Sequence, residues 1–169
     1  MSIDATGQFT LADVWRGTLM MSKAYLIWFS VIALVCFGLS GLMLFSQDED
    51  RSLWSLFFTL GIIFSILPWS KVFYRSYRTW KGSPIFRGSL RCHFDDAGYA
   101  NEGLNVKEER GWAGIIKWKE GKHLFLLMPQ PKLGEMIPKH FFANSTDVSA
   151  FRELLRNNVS IRLPSWLTL

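Results

Sequence analysis

The sequence predicts an α+β protein: a two-helix transmembrane hairpin, then a small antiparallel β barrel or sandwich capped by a C-terminal helix. Three observations carry this reading. Two blocks, Tyr25–Phe45 and Leu53–Ser70, contain no Asp, Glu, Lys, Arg or His, so all 19 Lys and Arg and all 14 Asp and Glu residues lie elsewhere. Downstream, short runs of alternating polarity are separated by turn residues. Near the C-terminus the apolar spacing changes to three and four, the period of a helix. The uneven distribution of charge excludes a freely soluble enzyme, a disordered tail protein and a large channel.

Four segments are expected: an N-terminal amphipathic segment over 1–24, the hairpin over 25–70, a basic juxtamembrane linker over 71–84 and a folded domain over 85–169. The first apolar block has 21 residues, enough to cross roughly 30 Å of hydrocarbon at about 1.5 Å per residue. The second has 18, the lower edge of the spanning range, and carries Trp54 and Trp69 near its ends, where indole rings favour the headgroup region. The remainder of the chain is too small to cover two helices that are apolar all round, which argues against a hairpin buried in a soluble core. The first block begins only at residue 25, exceeds a typical signal-peptide core and lacks an A-x-A-like site, so it is not read as a cleaved signal.

Only Ser46–Ser52 joins the spans, which makes them antiparallel. That turn holds Asp48, Glu49, Asp50 and Arg51. Lys71, Arg75, Arg78, Lys81, Arg87 and Arg91 follow the second span with no acid before Asp95, and Arg16 and Lys23 precede the first. Positive flanks stay inside, so the expected location is the cell (inner) membrane, multi-pass, with both termini cytoplasmic. Neither span carries the ionisable residues that mark ion or proton paths. Ser55 with Thr59 and Gly61 with Ser65 are small-xxx-small pairs that suit close helix packing, within the hairpin or with another helix.

Before the first span, Thr10-Leu-Ala-Asp13 reads as a helix start, with the Thr10 hydroxyl and the Asp13 carboxylate in reciprocal capping roles. Leu11, Val14, Trp15, Thr18 and Leu19 then recur at helical spacing, as in an amphipathic helix at the membrane surface or a simple extension of the span. After the second span, Lys71–Lys81 continues as helix. Lys71, Arg75 and Arg78 fall on one stripe with Lys81 at its flank, opposite Phe73, Tyr77 and Trp80. These four cations are the candidate lipid-contact residues, each worth about 1 kcal/mol beside anionic headgroups. Gly82-Ser-Pro84 ends the segment.

In the domain, Gly88–Phe94 alternates, placing Leu90, Cys92 and Phe94 on one face and Arg91 and His93 on the other. Asp95–Gly98 is a turn, Tyr99–Gly103 a return strand and Asn105–Arg110 a polar strand. Trp112–Trp118 is read as a strand that puts both indoles on one face. Glu120–Lys122 turns the chain, and His123–Met128 is a short buried strand. Pro129–Gly134 is a loop and Glu135–Phe142 a last strand, with Pro138 at an edge or bulge. Asn144–Asp147 offers caps for a helix over Thr146–Asn158. Phe125, Leu127, Phe151, Leu154 and Leu155 are the expected core. The apolar tail Val159–Leu169 is left to pack on the domain or touch the bilayer.

The motifs F-T-L-A-D-V (Phe9–Val14), F-D-D-A-G (Phe94–Gly98), G-W-A-G-I-I-K-W-K-E (Gly111–Glu120), M-I-P-K-H-F-F (Met136–Phe142) and V-S-A-F-R-E-L-L (Val148–Leu155) occur in this order around a two-span hairpin. In that arrangement the chain resembles the YcxB-like family of small bacterial membrane proteins. The resemblance covers nearly the whole chain. It implies a cytoplasmic domain similar to bacterial pleckstrin-homology (PH)-like folds, a bent antiparallel sheet closed by a C-terminal helix. It implies no activity. His140 and Phe142 depart from the family's usual residues around the Pro-Lys motif.

Catalytic patterns are absent from the sequence. Cys36 lies in a span and Cys92 in the domain, so they are not expected to pair. His93, His123 and His140 lie in separate predicted strands without metal-ligand spacing, and the adjacent Asp95 and Asp96 point apart in a turn. No nucleophile-elbow, Walker or dinucleotide motif occurs, so no cofactor, metal or catalytic residue is assigned. Basic residues beyond Arg91 are interspersed with acids, unlike a nucleic-acid-binding stripe. The expected function is a non-enzymatic, membrane-anchored interaction module that presents the domain at the cytoplasmic face to a protein partner or to anionic phospholipid. The alternative is an immunity or inhibitor protein against a membrane-acting toxin.

Overall fold

The computed structural model describes residues 2–45, 51–86, 88–103, 106–131 and 133–159. Residues 46–50 of the acidic turn and the tail beyond Val159 lie outside them. The chain forms two compact units: Thr18–Ser76, and Met1–Gly17 together with Tyr77–Leu169.

The first unit is a helical hairpin drawn from α1 (Leu11–Phe45) and α2 (Arg51–Gly82). Both helices are long and apolar enough to cross a membrane, with mean hydropathy of 2.3 and 1.7 in their most apolar windows. Only 22% and 17% of those windows are buried, whereas a core helix of a soluble protein would be mostly covered. Leu34 and Leu42 are about 70% exposed on α1. Between the helices, Phe29 packs on Phe64 at 5.9 Å and Phe37 on Phe58 at 5.7 Å between ring centres. Ser40 Oγ donates to the Trp54 carbonyl at 3.0 Å. A Cβ at Gly61 would stand 2.8 Å from the Phe37 ring, so the small residue makes room within the hairpin. The hydroxyls of Thr59 and Ser65 donate to the carbonyls of Ser55 and Gly61 on their own helix, which satisfies them without a partner helix.

The second unit begins with β1 (Ile3–Gln8), a strand absent from the elements that the periodicity predicts. It pairs antiparallel with β2 (Ser89–Phe94), Ala5 standing opposite Cys92. The sheet continues through β3 (Gly98–Gly103) and β4 (Val106–Gly111). A second sheet contains β5 (Lys117–Glu120), β6 (Leu124–Gln130) and β7 (Leu133–Pro138), and α3 (Ser145–Asn158) follows. The expected barrel or sandwich is thus two antiparallel sheets, and among the described residues they do not close into a barrel.

Several local expectations are met. Thr10 and Asp13 cap α1 reciprocally: Thr10 Oγ1 accepts from the Asp13 N–H at 3.2 Å, and Asp13 Oδ2 accepts from the Thr10 N–H and hydroxyl at 2.9 and 2.6 Å. α1 is one continuous helix, and Val14 is fully buried rather than laid on a membrane surface. Leu90, Cys92 and Phe94 face inward while Ser89, Arg91 and His93 face out. Asn144 caps α3 by accepting from the Asp147 N–H at 2.8 Å.

Two strand assignments are corrected. Trp112–Gly114 forms a single 3-10 turn and the strand begins only at Lys117, so the two indoles do not share a strand face. Trp112 packs on Tyr99 and donates Nε1–H to the Asp95 carbonyl at 2.8 Å, whereas Trp118 lies against Phe125. A buried indole needs an acceptor, and the Asp95 carbonyl supplies it where the chain turns at Trp112. The last strand starts at Leu133 and stops at Pro138, where a 3-10 turn over Lys139–Phe141 replaces its predicted end. The loop before it is correspondingly shorter.

The core holds all five expected residues: Phe125, Leu127, Phe151, Leu154 and Leu155 are buried. Phe151 of α3 packs on Phe94, Phe125 and Phe142 at 4.4, 5.0 and 5.3 Å, joining the helix to both sheets. Truncating such a ring to Ala costs about 3–5 kcal/mol. Gly7 of β1 meets the Phe141 ring, where a Cβ would stand 2.2 Å from Cδ1, so only glycine permits this approach. At the edge, Glu120 ties three elements together by accepting from Lys139 Nζ at 2.5 Å and from Arg152 Nε and Nη2 at 2.8 and 2.7 Å.

Candidate functional site

The basic segment lies on the C-terminal part of α2, which stays helical to Gly82. Lys71, Arg75, Arg78 and Lys81 are all exposed. The buried positions here are Val72 and Ser76, whose hydroxyl donates back to the Val72 carbonyl at 2.8 Å. Phe73 and Tyr77 are exposed with the cations, and Trp80 is half-buried. Lys81 Nζ lies 5.9 Å from the Tyr77 ring centre, within cation–π range. Exposed cations beside exposed aromatic rings suit an interfacial environment, where a ring enters the headgroup layer and a charge meets phosphate.

A second feature comes from cross-strand register. On the outer face of β1-β2-β3-β4, Asp4, His93, Ala100 and Glu109 form one row, and Thr6, Arg91, Glu102 and Lys107 the next. Ala100 is the small member of its row and floors a shallow concavity of about 450 Å³ between His93 and Glu109. A neighbouring concavity of about 540 Å³ continues over the second row. His93 Nδ1 meets Asp4 Oδ1 at 2.7 Å, and this hydrogen bond raises the imidazole pKa. Asp95 is held below its ordinary range because the N–H groups of Gly98 and Ala97 donate to its Oδ1, both at 2.8 Å. This face mixes both signs of charge and offers polar contacts. Alternation places Arg91 and His93 outward, but it contains no sign that Asp4 joins them.

A third polar group lies between the sheets. Tyr99 donates to Glu135 Oε2 at 2.5 Å, Arg110 Nη1 is 3.5 Å from Glu135 Oε1, and Arg110 also pairs with Glu108. Burial raises the Glu135 pKa, opposed by the Tyr99 hydrogen bond and the Arg110 charge. Burial, then the nearby Glu135 carboxylate, pushes the Cys92 thiol up to about 12, so it stays protonated and a poor nucleophile at neutral pH. Among the described residues no three His, Cys, Asp or Glu side chains converge as a metal would require. The three histidines lie on different elements: His93 on the outer sheet face, His123 in the β5–β6 turn and His140 in the 3-10 turn.

A family model described as YcxB-like protein matches residues 94–155, from the last residue of β2 into α3. No match was found among curated proteins or among solved structures.

Proposed function

Starting from a chain that carries a YcxB-like family domain over residues 94–155, we propose a membrane-anchored, non-enzymatic interaction module. The two apolar helices hold a PH-like domain at the cytoplasmic face of the cell membrane. There Lys71, Arg75, Arg78 and Lys81 contact anionic phospholipid, and the polar outer face of the first sheet is open to a protein partner. The PH-like reading draws support from two antiparallel sheets whose shared core is covered by a C-terminal helix.

The observation that carries the proposal is the pairing of β1 with β2 along Ile3–Phe94 to Gln8–Ser89. A strand ahead of α1 and a strand behind α2 share one ladder, so both ends of the hairpin return to the same compartment. This supports an even number of spans, and the basic flanks favour the cytoplasm as that compartment. The cations of α2 then lie in the stretch that leaves the apolar block, on the side where anionic lipid is met.

The test is vesicle binding by a peptide of residues 71–87. Four cations at about 1 kcal/mol each predict a preference for anionic over neutral vesicles on the order of a hundredfold or more. Binding weakens with salt, since the Debye length shortens to about 8 Å at physiological ionic strength. Replacing Lys71, Arg75, Arg78 and Lys81 together with Gln removes the preference and leaves partitioning of Phe73, Tyr77 and Trp80. Equal binding of the native peptide to neutral and anionic vesicles would reduce the four cations to topology signals.

A further inference from the structure

Three segments distant in sequence bring cations to one corner of the strand-bearing unit. The first turns of α1 run along residues 136–140. A Cβ at Gly17 would stand 2.0 Å from Met136 Sδ, and the Asp13 carboxylate is 3.8 Å from His140 Nε2. Arg16, beside Gly17, is exposed. The β5–β6 turn is closed by the Gly121 N–H donating to the Leu124 carbonyl at 2.8 Å, and it exposes Lys122 and His123. This turn is held to the segment under α1, because the Lys139 N–H donates to the His123 carbonyl at 2.8 Å next to the Leu124–Pro138 pair.

The charges at this corner are not equally engaged. Lys139 is bound to Glu120, and Asp13 Oδ2 is turned to Thr10. Arg16 and Lys122 form no ion pair among the described residues. The pKa of His123 is lowered first by desolvation and then by the charges of Arg16, Lys122 and Lys139, against an opposing pull from Asp13.

We propose that Arg16, Lys122 and His123 form a binding site for a phosphate group, carried by an anionic lipid headgroup or by a soluble phosphate. The chemistry fits the anion. A guanidinium fork, an ammonium and a ring N–H are its usual donors, and a bound phosphate relieves the repulsion among the three groups. The site shares no residue with the basic segment of α2. Its headgroup form rests on the membrane reading above; its soluble form does not.

The test uses the full-length protein in nanodiscs, with histidine-selective nitrogen-15 labelling and pH titration of each imidazole. Discs of neutral phosphatidylcholine supply the reference. One arm adds inorganic phosphate to those discs, and the other replaces part of the lipid with phosphatidylglycerol. The site predicts a rise in the His123 midpoint of about one pH unit in at least one arm, beyond any shift shared by His93. It also predicts that the R16Q/K122Q double variant abolishes the rise while His93 retains its native signal. A rise with inorganic phosphate assigns a soluble ligand, and a rise confined to anionic discs assigns the headgroup. The K71Q/R75Q/R78Q/K81Q variant keeps the His123 rise, so loss of lipid preference in the α2 segment does not mimic failure here. An unmoved His123 midpoint in both arms, or a rise that survives R16Q/K122Q, overturns the site.

Discussion

The Tyr99 hydroxyl donates to Glu135 Oε2 at 2.5 Å, a bond between β3 of one sheet and β7 of the other. The two sheets share no ladder among the described residues, so this bond and the Arg110 contact supply polar cohesion where backbone pairing does not. Tyr99→Phe leaves the carboxylate half-buried with one fewer donor, and destabilisation of about 1–3 kcal/mol is expected. Thermal melts of the full chain in mild detergent measure it. Native stability in Tyr99→Phe would show that the bond adds nothing to the packing.

The N-terminal strand is the second point. Ala5 is buried, stands opposite Cys92 and bridges to Phe142. Ala5→Asp places an unpaired carboxylate in that core and is expected to cost more than about 2 kcal/mol. Thr6→Asp, on the exposed face of the same strand, is expected to stay within about 0.5 kcal/mol. Urea titrations of both variants make the comparison. Equal tolerance would mean that β1 is not part of the folded unit.

Acid should loosen the edge clamp. The Glu120 carboxyl is lowered from 4.5 to about 2, first by the Arg152 hydrogen bond and then by Lys139. A depressed carboxylate pKa means that the unfolded chain binds the proton more readily. The stabilisation is therefore complete above about pH 4.5 and is lost as pH falls through about 2. Glu120→Gln is expected to cost about 1 kcal/mol at neutral pH, a value discounted for partial exposure, and to flatten the dependence over that window. A pH series of melts checks both. If Glu120→Gln follows the native acid profile, the clamp is not its source.

Orientation is tested by single cysteines and an impermeant thiol reagent on intact spheroplasts. Ser46→Cys in the acidic turn is expected to react, while Ser2→Cys and Ser145→Cys are protected. The last two must behave alike, because β1 pairs with β2 of the unit that contains α3. The buried Cys92 thiol, held at about 12, contributes little background. Reaction at Ser2 and Ser145 with protection at Ser46 would reverse the orientation, and a difference between Ser2 and Ser145 would refute the pairing.

The sequence by itself determined whatever depends on residues close together in the chain. Two charge-free blocks make membrane-length helices, Thr10 and Asp13 cap α1 across three residues, Leu90, Cys92 and Phe94 alternate inward, and Phe151, Leu154 and Leu155 repeat as a helix face. The exposed cations of α2 were legible for the same reason. Tertiary structure alone decided the partners. Ala5 meets Cys92 and Asp4 meets His93 across the whole hairpin, and nothing in Ile3–Gln8 names that strand as neighbour. Trp112 and Trp118 look like one strand face because alternation is blind to a 3-10 turn, which forms where the Trp112 indole finds the Asp95 carbonyl. Arg16, Lys122 and His123 carry no shared motif, and their segments meet at one corner because α1 and the β5–β6 turn both lie against residues 136–140. Local periodicity records which side of an element is buried; which element buries it is set by long-range register and packing.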